Sequence, residues 1–179
     1  MKKFLAIAAV VAATIAAQAQ GTVNFANRVP SSGIDAKVLG TDGTALSGAG
    51  FLAQLYVGAN ASSLTAVGSP VPFRTGAAAG YISASTITTG IAPGAASAAV
   101  RAWDASTGAS YEAATVKGSS AVLSIVLGGA GSPPSLPGDL TGLTGFSLTG
   151  SAPVGNVPEP STIALGVIGA GALFLRRRK

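Results

Sequence analysis

Phe51-Leu52-Ala53-Gln54-Leu55-Tyr56-Val57 sets the fold class of this chain. Phe51, Ala53, Leu55 and Val57 recur at every second position, the period of an extended chain with one face buried. Ala121, Leu123, Ile125 and Leu127 repeat that period within residues 121–127. Working outward, residues 22–26, 81–88, 98–103, 111–116 and 146–149 are further short β-type runs between stretches of Gly, Ser, Pro and Ala. The turn formers between Trp103 and Tyr111 predict a hairpin over residues 100–116, and Asp42-Gly43 marks another turn. Short strands with turn signals and no 3.6-residue period predict a mostly β domain over residues 20–150, a small antiparallel β-sandwich or jelly-roll-like fold. Alanine-rich residues 77–79 and 95–99 are helical alternatives, but Gly76, Gly80 and Gly94 interrupt any long helix. Residues 128–142, with Pro133, Pro134 and Pro137, predict an irregular crossing loop, and no repeat of fixed period is present.

The chain has no His and no Cys. That removes the commonest general base, the commonest transition-metal ligands, thiol nucleophiles and disulfides, so no enzymatic activity and no cofactor are expected. The net charge of +5 suggests a basic protein, but the excess sits at the two ends. In the middle, Arg28, Lys37, Arg74, Arg101 and Lys117 are matched by Asp35, Asp42, Asp104, Glu112 and Asp139. Single cations in a neutral domain give no footprint for nucleic acid, which is therefore not expected as a partner.

Few residues in the middle invite a chemical reading. Trp103 and Arg101 alternate onto one strand face and are the candidate ligand residues of a carbohydrate-binding module, against the plainer reading of a core Trp covered by Arg101. Asp104 and Glu112 flank one turn, as a glycosidase pair would, but turn capping explains Asp104 equally well. Asp35, Asp42 and Asp139 could offer oxygen to calcium, yet they lack the Asp-x-Asp spacing of a calcium loop, so no metal site is expected. Gly48-Ala49-Gly50 and Gly128-Gly129 precede no phosphate-loop Lys and read as turns, and Asn60-Ala61-Ser62 is a chance-level sequon.

The two ends carry the clearest signals. Lys2 and Lys3, the apolar stretch 4–17 and the Ala17-Gln18-Ala19 site make residues 1–19 a signal peptide, with signal peptidase leaving Gln20 as the first mature residue. At the other end Val157-Pro158-Glu159-Pro160-Ser161-Thr162 comes first, and its two prolines hold it extended. Residues 163–175 follow without a charged or polar side chain, and Arg176-Arg177-Arg178-Lys179 closes the sequence. A helix over residues 161–175 is at the short limit for crossing a bilayer core of about 30 Å, and the four cations hold its end in the cytoplasm. A buried core helix is the alternative for such a run, but it would not abut four consecutive cations. Residues 151–156 read as the linker to this tail.

In the order and chemistry of these parts, residues 157–179 resemble a PEP-CTERM sorting signal, the tripartite signal of exported proteins handled by membrane transpeptidases called exosortases. The resemblance implies export, anchoring in the inner membrane, recognition at Pro158-Glu159-Pro160 and removal of the tail, with transfer to the cell surface or to extracellular polysaccharide. The protein expected is thus a non-catalytic surface or matrix component, and the alternative is a carbohydrate-binding module centred on Trp103.

Overall fold

The alternation in residues 51–57 becomes the centre of the largest sheet. A computed structural model describes residues 20–150. The predicted signal peptide, the linker, the sorting motif, the 161–175 span and the basic tail lie outside the described residues, apart from Gln20, which is exposed.

The described chain is mostly β. Its first half contains β1 (Thr22–Phe25), β2 (Arg28–Val29), β3 (Ile34–Asp35), β4 (Val38–Leu39), β5 (Gly48–Gly58) and β6 (Thr65–Phe73). Its second half contains β7 (Ser85–Thr88), β8 (Gly94–Asp104), β9 (Lys117–Ser119), β10 (Leu123–Leu127), β11 (Gly138–Asp139) and β12 (Phe146–Ser147). A five-stranded sheet runs β10-β8-β5-β6, with β9 sharing the β10 side of β8. A three-stranded sheet runs β11-β1-β7, and β4 with β12 and β2 with β3 form two-stranded pairs.

Period two explains what these sheets bury. Ala53, Leu55 and Val57 of β5, Ala98, Val100 and Ala102 of β8, and Leu123, Ile125 and Leu127 of β10 join one core with Val23 and Phe25 of β1. Ala121, predicted on the same face, is exposed. The chain kinks just there: the Val100 amide donates to Ser120 Oγ at 3.0 Å and the Ser120 amide to the Val100 carbonyl at 2.9 Å. This kink divides the partner of β8 into β9, beside Arg101–Trp103, and β10, beside Gly94–Ala98.

Several expectations are corrected. Residues 111–116 are not a strand but a run of turns, because the return arm of the hairpin starts only at Lys117. Residues 81–88 shorten to β7, with Ile82 making one isolated bridge to Phe73. The crossing loop 128–142 contains β11 and the fully buried Leu140. The pairing is not purely antiparallel, since β1 with β11 and β4 with β12 are parallel. Residues 95–99 belong to β8, whereas Gly76–Ala78 is one 3-10 turn.

The nine-residue β6 has no counterpart among the predicted strands, because Gly68, Pro70 and Pro72 interrupt its sequence. It is an edge strand, where a proline costs no ladder bond on the open side. Gly68, at φ 65°, takes up the slip in register opposite Gln54, whose Nε2 donates to the Gly68 carbonyl at 2.8 Å.

Candidate functional site

The outward face of the large sheet brings together Arg101, Trp103 and, from the following turn, Glu112. Strand register sets Gln54, Arg101 and Ser119 in one row and Leu52, Trp103 and Lys117 in the next. Trp103 is fully buried, and its Nε1 has no hydrogen-bond partner among the described residues. It stands apart from the main core cluster, on the opposite side of β8 from Val100 and Ala102. A ring so enclosed presents no face on which a sugar could stack, so the aromatic platform expected at Trp103 is not formed there.

Arg101 is held instead between two tyrosines. Its guanidinium carbon lies 4.0 Å from the Tyr56 ring centre and 4.9 Å from that of Tyr111, and the two rings meet edge to face at 6.1 Å. The Tyr56 hydroxyl donates to Glu112 Oε1 at 2.6 Å, and Arg101 Nη1 stands 3.6 Å from the same oxygen. Lys117 Nζ fastens the segment from below, donating to the carbonyls of Tyr111 and Glu112 at 2.9 and 3.0 Å. Parity alone puts Tyr56 on the strand face of Leu52 and Gln54. Tyr111 has no such signal, because it arrives from a turn.

This closed set of contacts moves two ionisations. Burial, then the hydrogen bond to Glu112 and its charge, push the Tyr56 phenol up to about 12. Donation from Tyr56 is the chief reason that the Glu112 carboxyl lies below its ordinary value. The unfolded Tyr56 ionises near its ordinary value of 10.0, so its contribution to stability is complete below pH 10 and is lost as pH rises toward 12. Denaturant melts across that range should show this alkaline loss in the native protein and a smaller one in Tyr56→Phe.

The carboxylates weighed for catalysis or calcium are each occupied locally. Asp104 Oδ1 accepts from the Ser106 amide and hydroxyl at 2.8 and 2.6 Å, which is the turn cap. Asp42 caps Thr44 in the same way, and the Thr44 bonds lower its pKa. These two aspartates line one cavity of about 160 Å³ with Phe51, Val116 and Leu148. Asp35 accepts from the Tyr81 hydroxyl, the main reason that phenol is raised, while Arg28 and Lys37 lie 5.1 and 5.4 Å from the Tyr81 ring centre. Asp139 accepts from Asn24 and Ser32. Among the described residues no three His, Cys, Asp or Glu side chains gather as they would around a metal ion, and no helix is long and apolar enough to cross a membrane.

The C-terminal signal defines the class: a protein bearing a C-terminal sorting sequence. A family model described as the PEP-CTERM protein-sorting motif matches residues 156–179, and the chain carries that motif. The match takes in Val157 to Thr162, the apolar run and Arg176 to Lys179. The motif marks proteins that are exported, anchored and then processed, with an exosortase as the processing enzyme. Neither the curated proteins nor the solved structures compared with this chain give a match.

Proposed function

We propose that this protein is a non-catalytic component of the cell surface or extracellular matrix, whose residues 20–150 form a small β-sandwich-type cargo domain. Signal peptidase frees Gln20, the helix over residues 161–175 holds the protein in the inner membrane, and an exosortase acts at Pro158-Glu159-Pro160. The observation that carries this reading is the sorting motif over residues 156–179. The absence of His and Cys from the sequence supports a cargo without chemistry of its own, because it leaves few groups that exchange protons or act as nucleophiles near neutral pH.

Mass spectrometry of the protein recovered from cells and medium tests it. The expected termini are Gln20 at one end and a residue near Pro160 at the other. Recovery of every molecule with Arg176-Arg177-Arg178-Lys179 intact would defeat the processing step.

A further inference from the structure

Asn24, Thr86 and Asp139 stand side by side across three strands. Asn24 of β1 is opposite Thr86 of β7 on one side and Asp139 of β11 on the other. Val23 and Phe25 fill the core, so this row lies on the outward face of the three-stranded sheet, with neighbouring strands about 4.8 Å apart. The row lines a groove of about 400 Å³ together with Ser31, Leu136 and Pro137.

The groove has a definite chemistry. Asn24 Nδ2 donates to Asp139 Oδ1 at 2.8 Å, and the Ser32 hydroxyl donates to Oδ2. Both donors are neutral, no Lys or Arg lines the groove, and each carboxylate oxygen keeps a further lone pair. Thr86 and Ser31 are exposed and add hydroxyls that donate as well as accept. At the rim Leu136 is 87% exposed, an apolar surface beside Pro137.

A ligand with adjacent hydroxyls fits this set. One hydroxyl can donate to the Asp139 carboxylate while its neighbour pairs with the Asn24 amide or Thr86, and the carbon skeleton lies on Leu136 and Pro137. A divalent cation would want several oxygen ligands with more charge than one carboxylate supplies. An anionic chain would meet an uncompensated negative group. We propose that the β11-β1-β7 face binds a neutral polyhydroxylated ligand, a saccharide unit held by Asp139, Asn24 and Thr86. This site lies on a different sheet from Trp103 and does not depend on the sorting reading.

The test uses the full-length chain in a detergent without sugar headgroups, titrated calorimetrically with maltohexaose and with cellohexaose. Saturable binding of at least one is expected. Thr86→Val, a change of similar shape at an exposed position, should weaken it about threefold to tenfold, and Asp139→Asn about tenfold or more. Thermal melts of Thr86→Val should match the native protein, so that its loss of binding is not a loss of fold. Absence of saturable binding to both oligosaccharides, or binding indifferent to both substitutions, overturns the proposal.

Discussion

Trp103→Ala is expected to cost about 3–5 kcal/mol of folding stability, the range for deleting a large buried aromatic whose surroundings close only in part. The indole is fully enclosed on the outward face of β8, opposite Leu52 and Lys117 in register. Removing it leaves a large void on that face of β8, beside Leu52 and Lys117. The measurement is urea denaturation followed by far-ultraviolet circular dichroism, because the substitution also deletes the sole Trp of the chain. Trp103→Phe should behave differently, within about 1.5 kcal/mol of the native protein. It loses part of the ring but also removes a buried N–H that has no partner among the described residues. Native stability in Trp103→Ala would show that the indole is not a packing element.

The second large effect belongs to Asn27, buried next to β1. Its Nδ2 donates to the carbonyls of Ala36 and Gly80 at 2.8 and 2.9 Å, and its Oδ1 accepts from the Ile82 amide at 2.9 Å. One side chain thus ties the open end of the β2-β3 pair to the segment at Gly80 and Ile82. Gly80 keeps a second bond from the Val38 amide, so Asn27→Ala strands chiefly the Ile82 amide and the Ala36 carbonyl. At about 1–3 kcal/mol for each buried unpaired group, the expected loss is about 3 kcal/mol or more. Asn27→Asp keeps the acceptor but loses both donors and adds a charge facing two carbonyls, so it should not restore stability. Equal denaturation midpoints for Asn27→Ala and the native chain would remove Asn27 from the stabilising set.

These two residues show how unevenly the fold is written in the sequence. Strands that bury one face, such as β5 and β10, announce themselves because their apolar period is local. β6 does not, since an edge strand tolerates Pro70 and Pro72 that a central strand would reject. The two-residue strands β2, β3, β4 and β11 are too short to have a period of their own, and β4 and β11 arise only from pairing with distant segments. Asn27 looks like any turn former until Ala36, Gly80 and Ile82 are brought around it. The groove is equally illegible, for Asn24, Thr86 and Asp139 meet only through sheet register. The sorting signal is the reverse case: its recognition elements are contiguous in the chain, and a linear motif can be read without any fold.

The arrangement at the edges of the large sheet has a consequence for the life of an exported protein. On one side Pro70 and Pro72 offer no amide hydrogens. On the other, the backbone at Gly138 lies so close to the Val126 carbonyl that an added Cβ would come within 1.9 Å, and Thr149 pairs with Lys117 along β9. A second molecule meeting these edges finds fewer backbone groups to copy, which disfavours fibre growth by strand addition.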